Sequence, residues 1–201
     1  MPSLDLFPEE DQSGTVFRDV IMLALCGFVA IVLLLPHLNP PATAATESIT
    51  PPGNVIIEAR WPDHMDTDVD LWVEAPGDAP VGYSNKGGTY FNLLRDDLGH
   101  LADAAEINYE VSYSRGIPSG EYTVNVHLYR NLSGTYPVTV KVVASVKKTG
   151  GGAAAQILTT EVVLHREGQE FTAFRFRLDS NGELVPGSVH NLSKALRSAR
   201  T

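Results

Sequence analysis

Hydrophobic positions follow two different patterns along this chain of 201 residues. Residues 20–35 form an unbroken run of sixteen residues without a charged side chain. From Gly53 onward, hydrophobic and polar residues instead alternate in short segments, which is the period of a half-buried β-strand. The two patterns predict a single N-terminal transmembrane α-helix followed by an all-β domain.

The apolar run predicts a membrane-spanning helix over residues 16–36. Such a segment is about 30 Å long, which matches the hydrocarbon core of a bilayer, and Pro36 is expected to stop it. A cleaved signal peptide is the alternative, with small residues at 42–44 as a cleavage-like site. However, the leader is net acidic, whereas a signal peptide begins with basic residues, so we expect an uncleaved anchor.

Basic residues are scarce on both sides of this helix and give only a slight orientation signal. Arg18 is the one base in the N-terminal flank, and Arg60 is the first base after the apolar run. The positive-inside rule then places residues 1–15 in the cytoplasm as a short tail. The rest of the chain is expected in the periplasm, anchored to a bacterial inner membrane through a Pro/Ala/Thr-rich linker over residues 37–52.

Residues 53–187 have the features of an immunoglobulin-like β-sandwich. Clusters of Gly, Pro, Asn and Asp separate short segments of period two, as in domains of that class. The predicted strands are residues 55–59, 69–73, 106–113, 122–129, 138–146, 157–164 and 171–178. Residues 188–201 are expected to form a basic tail, either as a short helix or as a loose segment.

Charge and composition exclude several classes of protein. The net charge of −9 and a pI near 5 argue against a nucleic-acid partner, because no large basic surface is available. A single Cys excludes a disulfide framework. Residues 60–110 carry eleven acids and three bases, and residues 111–201 carry six acids and eleven bases. Solvated faces of opposite sign explain this asymmetry.

Motifs of catalysis are absent from the sequence. No G-x-S-x-G nucleophile elbow, H-E-x-x-H zinc motif or C-x-x-C pair occurs. The glycine-rich stretches at 87–88 and 150–152 are typical of turns, and Trp61 and Trp72 are expected in the core. We therefore expect a protein that is not an enzyme.

Alternating aspartates raise one metal hypothesis. Asp66, Asp68 and Asp70 would share one face of a strand, and their carboxylate oxygens suit Ca²⁺. Leu71 stands where an EF-hand loop needs glycine, so that motif is excluded. Asp96 and Asp97 would join such a site only if the fold brings them close. The alternative is a polar strand entry in which the aspartates cap turns.

The lone carboxylate at the start of the apolar run is the other candidate site. Asp19 lies at the expected cytoplasmic end of the helix, next to Arg18. A carboxylate that enters hydrocarbon costs a few kcal/mol, and apolar surroundings favour its protonated form, so that it would load and release protons. The alternative is an interface residue that pairs with Arg18 or is solvated among headgroups.

This segment resembles the transmembrane helix of B-type subunits of ion-driven rotary motors, the MotB/TolR/ExbD group. In that group a carboxylate near the cytoplasmic end precedes an aliphatic run with a Phe nine positions on, as Asp19 and Phe28 do here. The resemblance implies that Asp19 carries the ion and that Phe28 packs the helix. It also implies a homodimer inside a pentameric ring of MotA/TolQ/ExbB-like subunits. Hydroxyl side chains that favour Na⁺ are missing around Asp19, which favours protons.

A second resemblance concerns the β-region. Residues 68–73 read D-x-D-L-W-V and residues 120–129 read G-x-Y-x-V-x-V-x-x-Y. These strands are similar to a bacterial YfaP-like β-sandwich family, and the resemblance implies a fold but little chemistry.

Three functional hypotheses follow from these observations. The first is the B-type subunit of a proton-driven motor, with an unknown periplasmic target for the β-region. The second is a membrane-anchored module that binds a protein, a glycan or an envelope polymer without any transport. The third is a calcium-stabilised adhesion-like domain.

Overall fold

The computed structural model describes residues 12–38, 53–99, 107–148 and 152–197. The chain divides into two compact units, Met1–Ile49 and Thr50–Thr201. Nearly all of the predicted linker over 37–52 lies outside the described residues, as does most of the predicted tail over 1–15.

The first unit contains one long helix. Helix α1 spans Gln12–Leu38, which is 27 residues or about 40 Å. Its segment Val16–Leu34 is long and apolar enough to cross a membrane once, and every residue of that segment is exposed. The expected single N-terminal apolar helix is confirmed. It ends two residues past Pro36 rather than at it. Pro36 therefore lies in the last turn, where its missing N–H and its ring disturb only the end of the helix.

The described residues of the second unit form eight antiparallel strands. We call it the β-domain, residues 53–197. One sheet has five strands in the order β3-β4-β1-β6-β7, and the other has three in the order β2-β5-β8. The strands are β1 Val55–Arg60, β2 Thr67–Glu74, β3 Phe91–Arg95, β4 Tyr109–Ser114, β5 Gly120–Asn131, β6 Val138–Val146, β7 Ala155–Leu164 and β8 Glu170–Leu178. The predicted mostly β domain is confirmed. Strand β3 was not predicted.

One hydrophobic core lies between the two sheets. Alternate residues point into it from both sides, including Ile57 and Val140 of the five-stranded sheet and Leu71, Val126 and Phe176 of the other. These side chains supply most of the driving force for folding, since burial of apolar surface contributes roughly 25 cal/mol per Å².

Both tryptophans are buried, but only Trp61 lies in the core as predicted. Trp61 belongs to the core between the sheets. Trp72 lies on the other face of β2, where its indole is covered by Gly82 and meets the Tyr83 ring edge-on at 5.6 Å. A Cβ at Gly82 would lie 2.4 Å from the indole, so this close approach requires glycine.

Strand β4 presents polar side chains to the interior. In the antiparallel register Ser112 lies opposite Ile57 and Glu110 opposite Ala59, and both partners are core residues. Directly opposed residues share a face of the sheet, so Glu110 and Ser112 point inward and Tyr109 points outward. This orientation brings a fully buried carboxylate, Glu110, towards the three-stranded sheet.

The segment after β8 packs against the three-stranded sheet and is not helical over residues 188–197. His190 pairs with Arg175 of β8 through two backbone hydrogen bonds. Further along, the Asn125 side chain donates to the carbonyl of Lys194, and Leu196 is buried.

Candidate functional site

Asp19 lies in α1 with an exposed side chain, three residues into the apolar segment Val16–Leu34. Each helical residue turns about 100°, so Phe28, nine positions on, lies on the opposite side of the helix. Cys26, seven positions on, falls within about 20° of Asp19. The helix therefore has one side marked by Asp19 and Cys26 and another marked by Phe28, which is also exposed.

A second group of ionisable side chains converges at the free edge of β2. One carboxylate oxygen each of Asp70, Asp96 and Glu110 lies within 4.8 Å of the others. Asp68 lies beside them on β2 and lines the same cavity as Asp70 and Asp96. We call Asp68, Asp70, Asp96 and Glu110 the acidic cluster. Its members come from both sheets and from the segment that follows β3.

Asp68 is the least satisfied member of the cluster. The residue is only 3% exposed, and its Oδ1 has no hydrogen-bond partner among the described residues. Its Oδ2 is 3.8 Å from an Arg130 guanidinium nitrogen, which is too long for a hydrogen bond. Burial raises the pKa of Asp68 to about 7, and the neighbouring charge of Asp70 adds to the rise.

Asp70 is held by a histidine directly opposite it in the β2–β5 register. The Asp70 Oδ2 is 2.7 Å from Nδ1 of His127, and the Nε2 of that ring is 2.5 Å from Arg197. Because Arg is only a donor, Nε2 accepts and Nδ1 carries the proton that it donates to Asp70. Burial raises the pKa of Asp70, although the His127 contact opposes the rise.

Glu110 closes the cluster from the interior. Its Oε2 accepts the backbone N–H of Leu71 at 2.6 Å, and its Oε1 accepts that of Asp97 at 3.2 Å. The first of these bonds satisfies a donor on the free edge of β2, which would otherwise be unpaired. Burial raises the pKa of Glu110 well above its usual range.

A cavity of about 150 Å³ opens beside the cluster. Asp96 lines it and bonds Lys86 through Oδ2 at 2.7 Å, while its buried Oδ1 has no partner among the described residues. Tyr83, Leu98 and Tyr129 form the rest of the wall and are all partly exposed. The cavity thus has carboxylates at its base and two tyrosines at its rim.

The structure brings together part of the aspartate set that the sequence suggested. Asp68 and Asp70 line the cavity and Asp96 joins them, whereas Asp66 is not among the described residues that line it. Asp97 has a different role, because its carboxylate accepts the backbone N–H groups of Gly99 and Tyr109. Sequence reasoning did not find Glu110.

Comparison with known proteins yields no further assignment. No protein-family model, no curated protein and no solved structure matches this chain. The resemblance of residues 17–28 to B-type motor subunits therefore depends on Asp19, Phe28 and the apolar residues between them.

Proposed function

We propose that this chain is the B-type subunit of a proton-driven rotary motor in a bacterial inner membrane, with Asp19 as the proton carrier. The observation behind the proposal is a lone carboxylate in an apolar segment whose residues are all exposed. A helix that is apolar on every side needs lipid or protein around it. Asp19 lies near one end of the segment, and a carboxylate drawn from there into hydrocarbon costs a few kcal/mol, so a protein neighbour that offers a polar path is the favourable environment.

Asp19 would work through alternating environments. Facing an apolar protein wall, the carboxyl is favoured in its neutral, protonated form, since an unpaired charge is costly in a low dielectric. Facing a water-filled path, it releases the proton. Arg18 is turned about 100° from Asp19 around the helix, so the guanidinium can reach the cytoplasmic interface without neutralising the carboxylate.

The two sides of α1 fit two different neighbours. We assign the Phe28 side to a second copy of the helix and the Asp19 side to a pentameric ring of MotA/TolQ/ExbB-like subunits. Opposite placement of Asp19 and Phe28 supports this division, because a helix at the centre of a ring must contact both a partner and the wall. Proton transfer at Asp19 would then turn the ring relative to the dimer.

The β-domain would transmit the motion to a periplasmic target. An orientation with the N-terminus in the cytoplasm is supported by Arg18, the one base before the apolar run. Two antiparallel sheets of five and three strands support an immunoglobulin-like assignment for this domain.

The test is the Asp19→Asn variant of the full-length protein, purified from native membranes with its partners and reconstituted into liposomes. Asparagine keeps the size of the side chain but cannot exchange a proton. We expect proton flux, followed with a pH-sensitive dye, to fall at least 100-fold while the complex still assembles. Asp19→Glu, which keeps the carboxyl group, should retain measurable flux.

Two outcomes would contradict the motor proposal. One is a wild-type protein that purifies without any polytopic membrane partner. The other is an Asp19→Asn variant that conducts protons as well as wild type. Arg18→Gln is the matched control, because it removes the adjacent charge and leaves the carrier in place.

A membrane-anchored binding module is the second candidate, favoured by the cavity beside the acidic cluster. In that case α1 serves only as an anchor. Replacement of residues 16–34 by an unrelated single-span helix would then preserve the cellular function, whereas the motor proposal expects the function to be lost.

A further inference from the structure

We infer that the acidic cluster is a calcium site, in which Asp68, Asp70 and Asp96 bind the ion at the cavity and Glu110 binds it from the interior. The inference goes beyond the motor proposal and does not depend on Asp19. It concerns the β-domain alone.

The spacing of the carboxylates fits one ion. Oxygens of Asp70, Asp96 and Glu110 lie within 4.8 Å of one another. Two ligands on opposite sides of a Ca²⁺ ion are separated by about 4.8 Å, since each Ca–O bond is about 2.4 Å. The spacing of the three oxygens is therefore compatible with a single ion bound between the side chains. Glu110 can join even though both its oxygens accept backbone N–H groups, because each carboxylate oxygen has two acceptor sites.

Unsatisfied oxygens provide the second, independent observation. Asp68 is 3% exposed and lines the cavity, and its Oδ1 has no hydrogen-bond partner among the described residues. The Oδ1 of Asp96, in the same cavity wall, is also buried without a partner. Buried polar atoms are nearly always satisfied in folded proteins, and a bound ion is one of the recognised explanations for an exception.

The basic side chains around the cluster do not bond the Oδ1 atoms of Asp68 and Asp96. Lys86 contacts Asp96 through Oδ2, and Arg130 approaches Asp68 through Oδ2 at 3.8 Å. Their side chains are 60% and 31% exposed, so both approach from the solvent side. The contacts of both bases are with Oδ2 atoms, so the Oδ1 atoms of Asp68 and Asp96 stay available to a cation.

The donor set selects the ion. The proposed ligands are all carboxylate oxygens, which suit hard cations, and soft metals that prefer thiolate are disfavoured. The imidazole Nδ1 of His127 is already bonded to Asp70. Mg²⁺ usually keeps several waters and takes one or two carboxylates, whereas Ca²⁺ accepts six to eight oxygens in flexible geometry. Three carboxylates within 4.8 Å of one another, with Asp68 in the same cavity wall, therefore favour Ca²⁺.

An ion at this position would join segments that are far apart in sequence. Asp68 and Asp70 belong to the three-stranded sheet, Glu110 belongs to the five-stranded sheet, and Asp96 follows β3 directly. Calcium would thus connect the edges of the two sheets, and ligand binding to the folded state alone raises its stability.

The experiment uses full-length protein in detergent, freed of metal with a chelator, then titrated with CaCl₂ or MgCl₂. Trp61 and Trp72, the chain's two tryptophans, both lie in the β-domain, so their fluorescence reports its unfolding. At a hundredfold excess over Kd we expect Ca²⁺ to raise Tm by roughly 5 °C or more. Tb³⁺ should replace Ca²⁺ and show emission sensitised by Tyr83 and Tyr129 at the cavity rim.

Asp68→Asn should abolish both the rise in Tm and the Tb³⁺ emission, since it removes the carboxylate whose Oδ1 has no hydrogen-bond partner among the described residues. Asp66→Asn is the matched control, two residues earlier and outside the cavity lining, and should behave as wild type. If Asp68→Asn does not fold, as judged by tryptophan fluorescence, Asp96→Asn replaces it. The proposal is overturned if wild type shows neither signal, if the cluster variant keeps both, or if Mg²⁺ raises Tm as much as Ca²⁺.

Discussion

The local environment of each carboxyl group in the β-domain sets its pKa, which is raised for Asp68 and lowered for Asp78. Asp68 is buried without donors to its Oδ1, and burial raises its pKa to about 7. Burial also acts to raise the pKa of Asp78, but backbone N–H groups outweigh it and the net shift is downward. Asp78 accepts from Ala79 at 2.9 Å and from Tyr90 at 2.8 Å. Donors, rather than burial alone, therefore distinguish the two side chains.

The lowered pKa of Asp78 predicts an acid-sensitive contribution to stability. A carboxyl with a lower pKa in the folded state stabilises the fold above its unfolded pKa of about 3.9, and this contribution is lost as the pH falls through the folded value. We expect Asp78→Asn to reduce the free energy of unfolding by about 1 kcal/mol at pH 7. The difference from wild type should shrink once the pH falls below the unfolded pKa and vanish below the lowered folded-state pKa of Asp78.

Thermal unfolding between pH 2.5 and 7, followed by tryptophan fluorescence, measures that difference. Glu161→Gln, at an exposed position of β7, is the control and should change stability by less than about 0.5 kcal/mol. A gap between wild type and Asp78→Asn that stays constant with pH would show that the charge of Asp78 does not matter.

At the level of elements, alternation predicted seven of the eight described strands and missed β3, and it did not predict which face of each strand is buried. In β2 the apolar residues Val69, Leu71 and Val73 face the core, as their pattern indicates. In β4 the more polar side, which contains Glu110, faces inward. Tyr109 instead covers the outer face, with the Arg60 guanidinium 4.5 Å from its ring. Pairing with β1 sets this orientation, and pairing is a tertiary property that a single strand does not encode.

The helix yields a prediction about its two sides. If the Phe28 side faces a second copy, a cysteine at position 28 should form a disulfide-linked dimer, because Cα atoms at such a seam approach within about 6 Å. The native Cys26 lies about 160° away from position 28 around the helix and should not form such a disulfide. Ala24→Cys, within about 40° of Phe28, provides a milder change on the same side.

Membranes that contain Phe28→Cys or Ala24→Cys, each with Cys26→Ser, would be oxidised and examined by non-reducing electrophoresis. We expect most of the protein to run as a dimer for both cysteine variants. The chain that has only the native Cys26 should run as a monomer. Equal cross-linking on both sides, or a dimer only through Cys26, would contradict the assigned sides of α1.

At the scale of the whole molecule, the candidate site combines predicted and unpredicted residues for one reason. Asp68 and Asp70 were predicted together because neighbours on one strand face are visible in the sequence. His127 and Glu110 lie on other strands, and only the β2–β5 register and the packing of the two sheets bring them to Asp70. Asp96 was anticipated only as a member that the fold would have to bring close. The alternation of residues along one strand thus predicts which of its side chains share a site. The side chains that other strands contribute depend on pairing and packing between segments that are far apart in sequence.

The C-terminal segment is another long-range feature that local sequence did not predict. Composition indicated a short basic helix or a loose tail, yet His190 pairs with the edge strand β8, and the carbonyl of Lys194 accepts from Asn125 of the central strand β5. The Leu196 N–H donates to Glu170 at 2.8 Å, and Arg197 contacts His127 behind Asp70. The segment therefore covers polar side chains that would otherwise face water, and it supports the histidine that holds one member of the acidic cluster.

Removal of the Leu196 side chain tests whether this segment is part of the folded domain. Leu196 is 1% exposed, whereas Leu192, four residues earlier, is 67% exposed. We expect Leu196→Ala to lower the free energy of unfolding by about 2–3 kcal/mol, because truncation of a buried leucine removes apolar contact and leaves a cavity. Leu192→Ala should change it by less than about 0.5 kcal/mol. Tryptophan-detected unfolding of the full-length protein measures both, and equal effects would mean that the segment packs only weakly on the sheet.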